Sequence, residues 1–245
     1  MDGSLVVVLS ALFLGCFVSG VAGFAMGVIV TSVWLHILEP IQCATLVVGY
    51  GFVTQGYGVW KLRHAFSWRR VAPFMVGGLL GVPIGTYLLA RSNPNHMRLG
   101  IAVFVVVYSL WGLLRPAIQV AKSNTPTDVG VGFVNGLAAG LTGLIGIVIA
   151  IWCQLRGWTK DVQRTVFQPV MLATSLVATA SFGAVGAISS ETLKLFLLGL
   201  PFAFAGTWLG LRLYGRIDEL MFRRIVLVTL LLSGASLIAP AFLRA

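Results

Sequence analysis

Two long apolar segments of the chain are interrupted by glycines and small polar side chains, and these residues are the first candidates for a binding site. They are Ser19, Gly20 and Gly23 in the first segment and Asn135, Gly136, Gly140 and Thr142 in the second. A helix that breaks inside a membrane leaves backbone N–H groups that only protein or a water-filled cavity can satisfy. Because the start of the following half-helix also carries a partial positive charge, such a break suits a small anion.

Four further polar residues lie deep in apolar segments and join the substrate-binding candidates. They are Thr54, Gln55, Gln168 and Ser175. Uncharged polar side chains at this depth need partners, and a substrate is one kind of partner. Structural hydrogen bonds between helices are the competing explanation for the glutamines, and a bond from a hydroxyl to its own helix is the competing explanation for each Ser and Thr.

Ionisable residues at segment ends are candidates for gating or proton coupling. His36 and Glu39 end the first segment, and Asp161 lies at the matching place in the second half of the chain. An interfacial salt bridge or a helix cap is the alternative role for all three. No acidic or basic residue is expected near the bilayer centre, and no catalytic triad or metal-ligand spacing is visible. The sequence therefore predicts no enzyme activity, no metal and no cofactor.

The composition explains why these residues are placed in a membrane. Of the 245 residues, 58% are hydrophobic and 10% are charged, and the mean hydropathy is +0.96. So little polar surface excludes a soluble enzyme. The net charge of +10 comes from residues in short connections between apolar runs, which indicates topology signals and contacts with the lipid bilayer, and not nucleic-acid binding.

Charges, prolines and turn residues divide the chain into eight apolar segments. They are approximately 5–38, 41–62, 71–90, 97–114, 129–155, 162–188, 193–214 and 222–243. Six have the length of a single membrane span. The first and fifth are anomalous; a continuous helix of about 34 residues, the length of the first, extends about 50 Å against a hydrocarbon core of about 30 Å. Each is predicted to break at its glycines and return as a hairpin, either fully crossing or re-entrant; close packing of straight helices is the other use for these glycines.

The distribution of Lys and Arg favours the hairpins. If both long segments return to their starting face, 13 basic residues lie on one face and 4 on the other, whereas eight single spans divide them almost equally. The four are Arg91, Arg98, Lys194 and Arg244. Because Lys and Arg are enriched on the cytoplasmic side, the sequence predicts a multi-pass protein of the cell inner membrane with both termini in the periplasm.

A weak internal repeat divides the chain into halves. Phe17-Val18-Ser19-Gly20 recurs as Phe133-Val134-Asn135-Gly136, and Gly85-Thr86-Tyr87-Leu88 recurs as Gly206-Thr207-Trp208-Leu209. Thr54 likewise corresponds to Ser175. The predicted fold is therefore an all-α polytopic membrane protein with two inverted-topology repeats, each a broken hairpin helix plus three transmembrane helices. The repeats span 1–114 and 129–245, with a cytoplasmic linker at 115–128.

At these residues the chain resembles the sulfite exporter TauE/SafE family, also called the toluene sulfonate uptake permease family. The resemblance rests on the Gly-rich stretch 17–24, its recurrence over 133–146 and Pro83-Ile84-Gly85-Thr86 before an Arg-bearing loop, and it covers essentially the whole chain. It implies bacterial inner-membrane carriers of sulfite, sulfonates and related sulfur-containing anions, mostly exporters. The chain departs from the family in having Phe24-Ala25-Met26 where a denser glycine run is often found.

The residues and the resemblance both lead to a small anionic substrate. The expected function is a secondary transporter, mainly an exporter, that holds a sulfur-containing anion at the midplane between the hairpin breaks and moves it by alternating access. The alternative is a membrane subunit or scaffold that binds a partner without transporting. The sequence does not distinguish a monomer from a homo-oligomer.

Overall fold

Helices are the regular elements of the described residues in the computed structural model. The structure describes residues 2–34, 36–91, 103, 105–107, 109–114, 124–142, 146–184 and 188–243. In these ranges no strand is present, so the prediction of an all-α protein is confirmed. By length and hydropathy together, Gly3–Ala22 and Ser190–Tyr214 qualify as helices that can cross a membrane.

Nine α-helices have defined bounds. In chain order they are α1 (Asp2–Ala22), α2 (Met26–Trp34), α3 (Pro40–Lys61), α4 (Trp68–Arg91), α5 (Thr125–Thr142), α6 (Ile147–Leu155), α7 (Lys160–Ala184), α8 (Ser190–Tyr214) and α9 (Glu219–Leu243). A short 3₁₀ helix, Arg63–Ala65, lies between α3 and α4. The described residues of 103–114 are also helical.

Capping side chains set the start of three helices. Asn124 Oδ1 accepts a hydrogen bond from the Thr127 N–H at 3.2 Å, and Ser189 Oγ accepts one from the Thr192 N–H at 3.1 Å. Asp218 Oδ1 does the same for the Met221 N–H at 2.6 Å. Each side chain satisfies an N–H group that the first helical turn leaves without a partner. These helices therefore begin three or four residues before the apolar segments read from the sequence, and α5 begins inside the stretch expected to be a linker.

The first compact unit contains residues 1–61 and 171–217. In it, α1 packs against α2 and α8, and α3 packs against α2 and α8. Glycines make the contact between α1 and α8 close: a β-carbon on Gly20 would lie 2.7 Å from the Thr207 carbonyl oxygen and 2.8 Å from the Gly210 Cα. The buried core of this unit includes Leu12 and Tyr50.

The second compact unit contains residues 62–170 and 218–245. Here α5 packs along α4 over its length, and α6 packs against α5 and α9. Glycines again form the contact, because a β-carbon on Gly136 would overlap the Gly78 carbonyl oxygen and one on Gly81 would overlap the Phe133 carbonyl oxygen. Small residues are the usual means by which membrane helices approach this closely.

Trp34 shows that a tryptophan near a segment end need not be an interface anchor. Trp34, Trp60, Trp68, Trp152 and Trp158 all fall near the ends of apolar segments, a position that predicts anchoring at the membrane interface. Trp60 and Trp68 are exposed, as anchoring requires, but Trp34 is 1% exposed and its ring packs edge-on against Tyr50. The prediction is wrong for Trp34, because the chain turns back before it and carries the indole into the core of the first unit.

Candidate functional site

The first break lies between α1 and α2. Gly23 and Ala25 have φ values of 90° and 79°, in the left-handed region, and α2 begins at the next residue, Met26. A glycine adopts this backbone without strain, whereas Ala25 does not. Beyond the break α2 runs back along α1, since Trp34 Nε1 donates to the Val8 carbonyl oxygen at 3.0 Å. The long first segment is therefore a helical hairpin.

The second break lies between α5 and α6 and has the same form. Gly146, with a φ of 91°, directly precedes the first residue of α6. The returning helix is tied to α5 at two levels. Near the break, Asn135 Oδ1 accepts from the Ile149 N–H at 3.4 Å; at the open end, Asp128 Oδ1 accepts from Trp152 Nε1 at 3.1 Å. The fifth apolar segment is thus also a hairpin.

An ion pair closes the open end of the second hairpin. Arg156 Nη1 lies 3.3 Å from Asp128 Oδ1, and both side chains are largely buried. The guanidinium also stacks on the ring of Trp158, 4.5 Å from its centroid. In the first hairpin the contact at this end is uncharged: it is the hydrogen bond from Trp34 Nε1 to the Val8 carbonyl oxygen. The two hairpins are therefore closed by different chemistry.

Each break presents the start of a nine-residue helix within the protein. The first three N–H groups of α2 and of α6 have no i−4 carbonyl inside their helix. The residues that lead into these starts, Ala25 with Met26 and Gly146 with Ile147, are all buried. Buried N–H groups at the positive end of a helix can bind an anion without a cationic side chain.

Three of the residues around the first break meet near Gly51 in the first unit. Thr54 Oγ1 donates to the Gly51 carbonyl oxygen at 3.1 Å, and Ser175 Oγ lies 3.5 Å from the place that a β-carbon on Gly51 would occupy. The side chain of Met26, the first residue of α2, reaches the same place at 3.9 Å. The bond of Thr54 is the local bond to its own helix that competes with substrate binding. The hydroxyl side chains of Thr54 and Ser175 and the start of α2 therefore lie close to one point on α3.

The two candidate glutamines are buried and incompletely satisfied. Gln55 in the first unit is 4% exposed and Gln168 in the second is 2% exposed, and the Oε1 atom of each has no hydrogen-bond partner among the described residues. A buried polar atom without a partner is costly, so it marks a place where a ligand or water compensates it. Interhelical hydrogen bonds stay the alternative explanation for the two side chains, and substrate binding by them stays a prediction.

Two of the remaining candidates are buried polar residues, and two are glycines at contacts between helices. Ser19 and Asn135 are buried, and the Ser19 carbonyl oxygen accepts from the Gly23 N–H at 2.7 Å, which closes α1 at the break. Gly20 and Gly136 make the helix contacts described above, so packing accounts for their lack of a side chain. Substrate binding by these four residues stays a prediction.

Two candidates lie at the end of α5. Gly140 belongs to this helix, but its surroundings lie outside the described part of the structure. Thr142 is the last residue of α5, and its side chain also lies outside the described residues.

The ionisable candidates lie at the protein surface. His36 and Glu39 are exposed, in the connection between α2 and α3. Asp161, in the first turn of α7, is 3.8 Å from Nε2 of the exposed His64. These positions fit the salt-bridge interpretation at least as well as gating, and coupling through these residues stays a prediction.

Sequence reasoning missed one charged residue. Arg164 was counted only as a cytoplasmic charge, yet its side chain is 1% exposed in the second turn of α7. The sequence does carry a signal for this burial: Arg164 lies just inside the sixth apolar segment, after Lys160 and Asp161. The described ranges contain no group of three or more His, Cys, Asp or Glu side chains placed to hold a metal.

Comparison with known proteins identifies the family to which the chain belongs. Residues 7–237 match the family model described as sulfite exporter TauE/SafE. The match covers nearly the whole chain and confirms the resemblance. The chain belongs to the TauE/SafE family of membrane transporters.

Two named relatives support the assignment. The chain is 27% identical over 234 residues to the probable sulfite/organosulfonate exporter TauE of Cupriavidus necator, which covers 93% of this chain and 91% of the relative. It is 26% identical over 178 residues to the probable inner membrane transporter protein TsaS of Comamonas testosteroni, covering 69% of this chain and 72% of the relative. No solved structure matches the chain significantly.

Proposed function

We propose that the chain is a secondary transporter of a small sulfur-containing anion, such as sulfite or an organosulfonate, and that it works mainly as an exporter. The observation that carries the proposal is the pair of nine-residue helices that begin at buried breaks, α2 after Ala25 and α6 after Gly146. Family membership supplies the substrate class, since a named relative is a probable sulfite/organosulfonate exporter.

In this proposal each helix start can bind an anion through its backbone N–H groups and through neighbouring polar side chains. An oxyanion accepts several hydrogen bonds, and bonds from N–H groups to a charged acceptor are stronger than neutral ones. In the first unit the side chains are Ser19, Thr54, Gln55 and Ser175; in the second they are Asn135, Gln168 and, at the end of α5, Thr142. Access then alternates between the two faces of the membrane.

The inverted repeat is part of the proposal and has support at the level of elements. Helices α2 and α6 are both nine residues long, and their first residues, Met26 and Ile147, are 121 positions apart. Both follow a residue with a left-handed φ. The hairpin of each half packs against a helix of the other half, α1 with α8 and α5 with α4, and both pairs meet through glycines.

Orientation follows from the charge distribution. We propose a multi-pass protein of the cell inner membrane with periplasmic termini, so that the connections from α3 to α4, α6 to α7 and α8 to α9 face the cytoplasm. Each of these three connections contains basic residues, for example Arg63, Arg156 and Arg216 in that order.

Reconstitution of the full chain tests the function. Purified protein in liposomes should move radiolabelled sulfite down its gradient, and the detergent-solubilised protein should unfold at a higher temperature with a transported anion, since selective binding stabilises the native state. The panel is sulfite, thiosulfate, sulfoacetate, taurine and sulfate. If no member of the panel is moved and none raises the unfolding temperature, the transporter proposal is wrong and the interpretation as a non-transporting subunit replaces it.

A further inference from the structure

Arg164 is a cation enclosed by the second unit. Among the Lys and Arg side chains that the structure describes, it alone is fully buried, at 1% exposure. Removing a charge from water is expensive in a protein interior, and an ionisable side chain inside a membrane protein most often serves the path of a substrate or ion. The residue lies just over one turn from the start of α7, at the end of this helix that the charge distribution predicts to be cytoplasmic.

Gln168 lies one helical turn further along α7. Residues four apart occupy the same face of a helix, so Arg164 and Gln168 form a polar strip on α7 that runs inward from its first turns. Gln168 is 2% exposed, and in the part of the chain that the structure describes its Oε1 atom has no hydrogen-bond partner. A strip that combines a buried guanidinium with an unsatisfied amide is suited to a hydrated or partly hydrated anion and not to an apolar core.

We propose that Arg164 is the cationic residue of the transport site and binds the sulfite or sulfonate group of the substrate, with Gln168 as the next polar contact along its path. This inference rests on the proposed function and names a residue for it. The planar guanidinium offers paired N–H donors in a fixed fork, which matches two oxygens of a tetrahedral or pyramidal oxyanion. The amide of Gln168 contributes an N–H donor to the same anion or an acceptor to its hydration water.

The cation is confined to one half of the chain. In the register that relates α2 to α6, Arg164 corresponds to Cys43, which is also buried in its helix, α3. Both residues occupy the first turns of corresponding helices, but only α7 carries a charge there. The corresponding position of the first half therefore has a neutral thiol in place of the guanidinium.

Charge removal at Arg164 is the test. The variants are R164Q, which removes the charge, R164K, which keeps it but removes the fork, and R70Q, a control that removes an exposed cation from the first turn of α4. Each full-length protein is assayed for sulfite-dependent stabilisation in detergent and for sulfite flux in liposomes. We expect R164Q to lose at least about 10-fold in flux together with the stabilisation, which corresponds to the loss of one charge-assisted contact. R164K should retain part of both, and R70Q should match the wild type.

The outcomes separate this inference from the proposed function. If the wild type binds and moves no anion, the proposed function itself fails. If the wild type moves sulfite and R164Q does so equally well, Arg164 is structural and the inference is wrong. Where R164Q yields no folded protein, R164K decides: the half-saturating sulfite concentration should rise at least about threefold because the fork is lost, and an unchanged value would overturn the inference.

Discussion

The side chain of Asn135 crosses the second hairpin, and its Oδ1 atom accepts a hydrogen bond from the backbone N–H of Ile149 at 3.4 Å. Ile149 is the third residue of α6, so this N–H is one of those that the start of the helix leaves without an intrahelical partner. Asn135 thus occupies one of the donors that an anion at the break can use. The first turn of α6 has two further N–H groups without an i−4 carbonyl inside the helix.

Replacing Asn135 by Asp separates the two roles of this residue. An aspartate still accepts from the Ile149 N–H, and its negative charge is stabilised by the helix start, so N135D should unfold at or above the wild-type temperature. The same charge repels an anion at the break, and we expect the sulfite-dependent rise in Tm to disappear. N135A, which leaves the N–H unpaired, should lose about 1 kcal/mol of stability. A wild-type sulfite response in N135D would place the anion elsewhere.

Gly23 should not tolerate a branched side chain. Its φ of 90° costs an L-residue about 1 to 2 kcal/mol, and a valine there also blocks close approach to the backbone at the break. We expect G23V to insert into the membrane but to lose sulfite flux in liposomes, and G140V to behave similarly in the second half. The matched control is G3V, because Gly3 is in α1 with open space around it. If the protein with valine at both Gly23 and Gly140 transports sulfite at the wild-type rate, the breaks do not bind the anion and the site must be sought at Gln55 and Gln168.

The sequence predicts the helix breaks because glycines mark where the chain can turn and because the charge distribution favours two hairpins. For the first segment, a length of about 34 apolar residues is a further argument, since it is too long for one span. The partners formed after the turn were not predictable in this way. Bonds such as Asn135 to Ile149, or Trp34 to Val8, depend on how far the returning helix slides along the first, which hydropathy does not encode. Arg164 was missed for a related reason, since a charge count assigns a side of the membrane and not a degree of burial.

Two glycines of α5 should respond to alanine with opposite signs. Gly130 has open space where a β-carbon would be, so G130A should raise the stability by about 1 kcal/mol through helix propensity. A β-carbon on Gly132 would overlap the Phe74 carbonyl oxygen and lie 2.7 Å from the Phe74 Cα in α4. Because backbone atoms cannot move aside cheaply, G132A should lower the stability by about 1 to 3 kcal/mol. Thermal unfolding in one detergent compares the two; a change of the same sign in both would mean that α4 and α5 do not pack as described.

Cysteine labelling in intact cells tests the orientation of the chain. The two variants, each with one added cysteine, are S67C, between the 3₁₀ helix and α4, and G3C, near the start of α1. The native Cys16, Cys43 and Cys153 are buried, so they should contribute little background. If the first segment is a hairpin, only α3 crosses the membrane between the two sites, and they lie on opposite faces.

A membrane-impermeant maleimide should therefore label the G3C variant in intact cells and the S67C variant only after permeabilisation, because the basic connection around Ser67 is expected in the cytoplasm. The reverse pattern would invert the orientation but keep the hairpin. Equal labelling of both variants would mean that the first segment crosses as a single span, since α3 would then return the chain to the face on which it began. The two-hairpin topology would in that case be wrong.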